Sequence, residues 1–198
     1  MAMIGRNINL LLELMVMIGR NIKMEKLLYL PPVLETDRLI LRPITLEDKS
    51  AIYKWAGNPE VSRYMIYPNY NSEDDADIWI NSLYHKEKEL DYGFVWKESG
   101  ELIGSGGLYG HEDDIWTVGY NLRQDMWGRG IVPEACRKII EYVQQNYTIK
   151  AIQGDFAVEN NKSRRVMEKL GMTYLEDSEF TKLDGSATYK SKRYQKLF

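Results

Sequence analysis

Apolar side chains recur with a clear helical spacing between residues 131 and 145: Val132, Ala135, Cys136, Ile139, Ile140 and Val143. Steps of three and four put them on one face, so the segment is a helix with one buried stripe. Before it, Ile115 to Leu122 reads as a strand, and after it Ile149 to Ala157 reads as another. The stretch joining the first strand to the helix is polar and carries Gly128 and Gly130. A strand, a helix and a strand in succession require a parallel pairing and a right-handed crossover.

The rest of the chain has the same kind of punctuation. Thr36 to Pro43 is a first strand. Thr45-Leu46-Glu47-Asp48 opens a helix in capping-box fashion, running to about Gly57 with Ile52, Trp55 and Ala56 on one side. Asn58-Pro59 stops it, and 58–71 is a loop carrying Tyr64, Met65, Tyr67 and Tyr70. Ser72 caps a second helix with an acidic first turn, extending to about Leu90 and packing through Ile78, Trp79, Ser82 and Leu83. Tyr92–Lys97 and Leu102–Tyr109 form a hairpin, whose glycines at 104, 106 and 107 mark a bulge or a close backbone approach. A helix from about Asn160 to Leu170 closes at Gly171. Met172–Leu175 and Thr188–Leu197 are strands joined by a loop containing Asp184-Gly185. The order is that of an α+β domain with a mixed sheet flanked by helices.

Composition narrows the function classes. A chain of 198 residues with 44% hydrophobic and 28% charged residues is most simply one domain. The formal net charge of −3 speaks against nucleic acid as a partner, because phosphate contacts need clustered Lys and Arg. One cysteine, Cys136, permits no internal disulfide, which points to a reducing, cytoplasmic setting. It falls on the apolar stripe, as a buried structural thiol would. Two histidines, His85 and His111, and that thiol give no metal-ligand spacing. Residues 1–23 differ from the rest: Met-Ile-Gly-Arg-Asn-Ile occurs at 3–8 and again at 17–22, around a short apolar run containing Glu13. They read as a leader or an expression-derived segment, with Met24 as a natural start and 24–198 as the domain. The run is too short to span a bilayer, so no membrane partner is expected.

The chemistry starts at the glycines. A glycine-lined helix start leaves free amides aimed at one place, and the helix dipole adds partial positive charge there, which makes an anion site. The surrounding blocks are Leu34-Glu35-Thr36-Asp37-Arg38-Leu39-Ile40-Leu41-Arg42-Pro43, Val118-Gly119-Tyr120-Asn121-Leu122, Trp127-Gly128-Arg129-Gly130, Pro133-Glu134-Ala135, Glu159-Asn160-Asn161-Lys162-Ser163 and Glu168-Lys169-Leu170-Gly171-Met172. In this order they resemble the GNAT superfamily of acetyl-CoA-dependent N-acetyltransferases, and within it the ribosomal-protein N-terminal acetyltransferase (RimJ/RimL-like) branch, over residues 35–198. The resemblance implies a mixed, mostly antiparallel sheet with a splayed parallel pair, acetyl-CoA as co-substrate and no metal. It also implies direct attack by a primary amine through a tetrahedral intermediate.

Carried over residue by residue, the pyrophosphate would rest on the amides of Gly128, Arg129, Gly130 and Ile131, with Trp127 and Val132 flanking. Arg123 and Arg129 either contact phosphates or are solvated surface charges. The backbone of Asn121 and Leu122 would pair with the pantetheine arm, and an N–H near Tyr120 would steady the oxyanion. Asn160 would contact the arm, and also suits a helix N-cap. Ser163 sits where the branch holds or protonates the leaving sulfur. Two positions depart from the pattern. Asp125 stands where Gln or Arg is usual, and Thr117 stands where the branch often has a Glu that acts as base. A Thr hydroxyl is no base near neutral pH. His111, Glu112, Asp113 and Asp114, on the loop entering the central strand, could act through water, or form a solvated acidic loop. Tyr64, Tyr67 and Tyr92 could line the acceptor cleft or simply pack. An α-amine, titrating near about 7.8, is far cheaper to deprotonate than a lysine at about 10.4, so a site without a strong base favours a peptide N-terminus. The other readings are a small-amine acetyltransferase and a non-catalytic acyl-CoA-binding protein, as a monomer or homodimer.

Overall fold

The computed structural model describes residues 30–83 and 88–198. The expectations for the leader, Met24 and His85 lie outside them. Eight strands form one sheet: β1 (Leu34–Glu35), β2 (Leu39–Arg42), β3 (Glu89–Trp96), β4 (Leu102–Gly110), β5 (Ile115–Leu122), β6 (Ala151–Ala157), β7 (Thr173–Thr181) and β8 (Thr188–Leu197). Their spatial order is β1-β2-β3-β4-β5-β6-β8-β7. Every neighbouring pair is antiparallel except β5 and β6. The helices are α1 (Lys49–Ala56), α2 (Pro59–Ser62), α3 (Glu73–Ser82), α4 (Ile131–Asn146) and α5 (Asn161–Lys169). The α+β domain with a mixed sheet and one parallel pair is therefore as expected.

Each face of the sheet has its own core. Leu90, Tyr92, Phe94, Trp116, Val118 and Ile152 pack under the α4 stripe of Ala135, Cys136, Ile139 and Val143. On the other face Ile44, Val95 and Leu102 meet Ile52, Trp55, Ala76 and Ile80 of α1 and α3. Cys136 is buried as expected, and burial pushes its thiol up to about 12.

Several local expectations change. Residues 36–38 are not strand: they form a turn between β1 and β2, with the Thr36 N–H donating to the Leu39 carbonyl. Thr45 and Asp48 do form a capping box, but they open a 3-10 turn (Leu46–Asp48) that leads into α1. Asn58-Pro59 ends α1 and also starts α2, because Asn58 caps it through Glu60 and Pro59 sits in its first turn. Ser72 and Asp75 form the second capping box, but α3 ends at Ser82 and Leu90 belongs to β3. Its buried side is Ala76 and Ile80, whereas Ile78 is 74% exposed. The bulge lies where Phe94 and Val95 face Gly104 and Leu102, which leaves Ile103, beside Gly104, as the extra residue of β4. The β4 glycines serve close approach: a Cβ on Gly107 would stand 2.2 Å from the Leu90 carbonyl oxygen. Tyr92 is fully buried in the α4-side core and lines no cleft. The final hairpin is longer than expected, with β7 reaching Thr181 and turning at Gly185.

Candidate active site

The parallel pairing of β5 and β6 is short. Ile115, Trp116 and Thr117 pair with Ala151, Ile152 and Gln153, and there it stops. Beyond that point β5 is held only by β4, and β6 only by β8. The result is a wedge-shaped gap in the sheet, opening past Thr117. The Arg123 N–H donates to the Ile103 carbonyl and the His111 N–H to the Ile115 carbonyl. Antiparallel ladders alternate, so the backbones of Gly119 and Asn121 also turn toward β4, while those of Tyr120 and Leu122 turn into the gap. This corrects the expectation for Asn121: its backbone is committed to Ser105, and the neighbouring residues offer their groups instead. Leu122 is partly committed as well, since its carbonyl accepts from Trp127 Nε1 at 2.8 Å.

The β5 strand leads through a 3-10 turn (Gln124–Met126) into the loop before α4. Gly128 and Gly130 there have φ of 80° and 73°, a region costly for residues with a Cβ. Gly130 is the helix N-cap and no side chain caps the helix. Nothing of the chain lies within 4 Å of where a Cβ on Gly128 would stand. The first-turn amides of α4 lack carbonyl partners within the helix, so with the open glycine loop before them they form an end suited to an anion, at the positive pole of the α4 dipole.

A buttress behind this loop was not foreseen. Glu134, in the first turn of α4, accepts from Thr36 Oγ1 at 2.6 Å, from the Arg38 N–H at 3.2 Å and from Arg38 Nε at 2.7 Å. Arg38 Nη1 then reaches the Arg129 carbonyl at 3.1 Å. Burial acts to raise the Glu134 carboxyl, but the Thr36 and Arg38 hydrogen bonds outweigh it and hold it below the ordinary carboxylate range. Both partner blocks were visible in the sequence, but nothing in it signals a contact across 96 residues.

Arg123 is engaged by neighbouring carboxylates. Its guanidinium is paired with Asp125 at 2.7 Å and with Glu101 at 3.3 Å, and the hydrogen bond to Asp125 pulls that carboxyl down. Asp125, a departure from the family pattern, therefore has a local partner. Arg129 is exposed. Trp127 is covered on one face by Lys162 Nζ, 3.6 Å from the ring centre.

Helix α5 supplies the other wall. Asn160 caps it, accepting from the Ser163 N–H at 3.1 Å. That uses its oxygen and leaves the amide nitrogen to donate. The helix ends in a Schellman arrangement, with Gly171 at φ 80° and Met172 N–H on the Met167 carbonyl. Ser163 Oγ lies 2.8 Å from the Tyr120 phenol oxygen, and that phenol also reaches the Ser163 carbonyl at 3.2 Å. Burial raises the Tyr120 phenol while the Ser163 contact lowers it, and burial wins. The hydroxyl pair is thus a neutral donor set beside the gap.

On the opposite face of the sheet a cavity of about 280 Å³ is lined by His111, Asp113, Ile115, Thr117, Gln153, Asp155 and Arg193. It meets the gap at Thr117 and Gln153, the last paired residues. His111 Nε2 lies 2.9 Å from Thr117 Oγ1. Asp114, at φ 62°, shapes the turn that carries His111, and Lys150 ties it down through the Asp114 carbonyl. Tyr64 packs edge-on against Tyr189, and Tyr67 lies against Tyr70 with its hydroxyl buried and unpartnered. Among the described residues no cluster of His, Cys, Asp and Glu could hold a metal, and no helix is long and apolar enough to cross a membrane.

Comparison with known proteins agrees with this geometry. The model of the acetyltransferase (GNAT) domain matches residues 38–173. The uncharacterised N-acetyltransferase YoaA of Bacillus subtilis is 31% identical, over 71% of this chain and 82% of its own. A shorter match, 37% identical over 27% of this chain and 30% of the other, is to the putative ribosomal N-acetyltransferase YdaF of the same species. The crystal structure of the microcin C7 self-immunity acetyltransferase MccE, in complex with acetyl-CoA and AMP, superimposes with a TM-score of 0.74 at 20% identity. It covers 86% of this chain and 99% of that one. With the splayed strands and the uncapped glycine loop in place, the chain belongs to the GNAT acetyltransferase family and is an acetyl-CoA-dependent N-acetyltransferase.

Proposed function

We propose that the acceptor is the α-amine of a peptide or protein N-terminus, the ribosomal-protein type of substrate. The observation that carries this reading is the acceptor-side cavity. It has a volume of about 280 Å³ and opens to solvent between exposed His111, Asp113 and Asp155. At its junction with the gap stands the Thr117 hydroxyl rather than a carboxylate. Such a site suits an amine that is already partly neutral, and an α-amine near pH 7 is neutral in roughly one molecule in ten.

Acetyl-CoA supplies the activated acetyl thioester. The amides of residues 128–132 hold its pyrophosphate, and the Asn160 amide nitrogen is placed to bond the pantetheine arm. The Tyr120 N–H, turned into the gap, donates to the carbonyl oxygen as negative charge builds there. The amine nitrogen bonds the acetyl carbon, the carbon–sulfur bond breaks, and the Ser163–Tyr120 hydroxyl pair donates to the departing sulfur. A thiolate needs little help, so this donor is expected to contribute modestly.

Asp113 and Asp155 in the cavity wall also favour a second reading, a small polycation such as a polyamine. Turnover of acetyl-CoA against peptides with free and with blocked N-termini, spermidine and an aminoglycoside separates the two. Activity confined to free-N-terminal peptides is expected. Activity confined to the small amines overturns the peptide reading.

A further inference from the structure

We propose that His111, acting through the Thr117 hydroxyl, is the general base that takes the proton from the acceptor amine. The inference rests on the reading of the chain as an N-acetyltransferase of primary amines, but not on which amine.

Three observations lead to it. Thr117 is the last residue of β5 paired to β6, so its side chain stands where the acceptor cavity joins the gap. Its Oγ1 is 2.9 Å from His111 Nε2. The turn that carries His111 is held by its own backbone. The His111 backbone N–H donates to the Ile115 carbonyl, its backbone carbonyl accepts from the Asp114 N–H, and the turn closes on Asp114 in the left-handed region. Asp113 further pins the turn by accepting from the Ile115 N–H at 3.2 Å.

A neutral imidazole accepts at Nε2 from the Thr117 hydroxyl, which leaves the lone pairs of Oγ1 open at the mouth. An ammonium nitrogen arriving there gives its proton to Oγ1 as the hydroxyl proton passes to Nε2. One proton leaves the substrate, the imidazole becomes imidazolium, and Thr117 is unchanged. His111 is exposed, so the proton then passes to solvent. The freed lone pair forms the new carbon–nitrogen bond. After attack the nitrogen's second proton follows the same path through Thr117 to the His111 imidazole, which has returned its first proton to solvent, and solvent restores to the Ser163–Tyr120 pair the proton given to the sulfur. The hydroxyl therefore relays a proton that it could not hold, and the imidazole Nε2 behind it receives that proton. The charged groups facing the ring are Asp113 on its own turn, Asp155 from β6 and Arg193 from β8. Arg193 and Asp155 are paired with each other at 3.1 Å, and Arg193 also meets Glu176 at 3.0 Å.

The test uses the full chain and His111→Gln, Thr117→Val and Thr117→Ser. Turnover of a hexapeptide with a free N-terminus and of spermine is followed from pH 5.5 to 9, coenzyme A affinity is measured by calorimetry, and the His111 ring is titrated by NMR, with His85→Gln to assign the other histidine. His111→Gln and Thr117→Val should each lower kcat about 100-fold at neutral pH and remove the acid limb of the profile. Thr117→Ser should stay within about threefold of wild type. Coenzyme A affinity should hold within about twofold throughout. Thr117→Val should also displace the His111 titration, which Thr117→Ser should not. A His111→Gln enzyme that keeps the wild-type rate and acid limb overturns the proposal. If the wild type binds coenzyme A but acetylates neither amine, the acetyl-transfer reading is what fails. In that case the ring titration still decides the pair: a titration unmoved in Thr117→Val overturns it.

Discussion

Gly128 takes φ of 80° beside open space, so two costs of a substitution there can be told apart. Any Cβ meets the left-handed penalty, about 1 kcal/mol. Only a large or negative side chain also blocks the anion site. Gly128→Glu should therefore melt within a few degrees of wild type yet lose coenzyme A binding by at least about 100-fold in calorimetry. Retained affinity would remove the phosphate from this loop. Asp91 shows how burial sets a pH dependence. It lies on β3, only 9% exposed, with its carboxylate accepting from the Tyr109 hydroxyl. Burial pushes it up to about 6, the Tyr109 bond pulls the other way, and Glu89 adds to the rise. Between the unfolded value near 4 and that folded value, the native chain keeps a proton that the unfolded chain has released. Stability therefore falls as pH rises through this window and stays lower above it, by up to about 3 kcal/mol. Asp91→Asn removes the cost and can still accept from Tyr109. It should raise the melting temperature roughly threefold more at pH 7.5 than at pH 4.5. An equal shift at both values would mean that the gain has nothing to do with ionisation.

At the scale of elements, the part of the site carried by local pattern was legible and the part carried by long contacts was not. The α4 stripe, the glycine loop and the Asn160 cap are each written within a few residues, where spacing and backbone preference act directly. The end of α3 was misplaced because Leu83 and Leu90 extend an apolar pattern, and periodicity alone does not say where β3 takes over. The pairing of His111 with Thr117 depends on a left-handed Asp114, which Asp tolerates without announcing. The Thr36–Arg38–Glu134 buttress ties the β1–β2 turn to the start of α4, and sequence offers no signal for it. Its energetic role follows from its geometry. The partners are partly exposed, with side-chain accessibilities of 40% and 21%, so the ion pair itself is screened. Its effect on the loop comes through the Arg38 contact to the Arg129 carbonyl. Arg38→Ala should cost about 1 kcal/mol of stability and weaken coenzyme A binding severalfold. Because the folded Glu134 carboxyl titrates below its ordinary value, its contribution is complete above about 4.3 and is lost as pH falls further. The melting-temperature gap between wild type and Glu134→Gln should accordingly narrow on acidification, and a gap that stays constant as pH falls below about 4.3 would deny the carboxylate this role.

For the whole molecule the consequential feature is that the sheet is nearly two sheets. Strands β1–β5 form one antiparallel half and β6–β8 the other, and only three residue pairs of β5 and β6 join them. Past Thr117 the halves diverge, bridged on the α4 side by packing of Val118 and Tyr120 against α5, where Tyr120 meets Ser163. A sheet left open in this way carries backbone groups that lack ladder partners, which is tolerable only where water or a ligand reaches them. The alternation along β5 says which groups these are. The amides of Gly119 and Asn121 are locked to β4, and those of Tyr120 and Leu122 face the gap. A pantetheine arm lying in the gap would serve as the missing strand. It would pair with the second set and leave the first untouched. Hydrogen exchange resolved to single amides should show Gly119 and Asn121 slow with or without coenzyme A. Tyr120 and Leu122 should be fast in the free protein and slow by at least about tenfold at saturating coenzyme A. Uniform slowing of all four would mean that the ligand stabilises the domain globally rather than completing the sheet. Slowing confined to Gly128–Val132 would place the ligand at the phosphate loop alone, with the gap between the halves left empty.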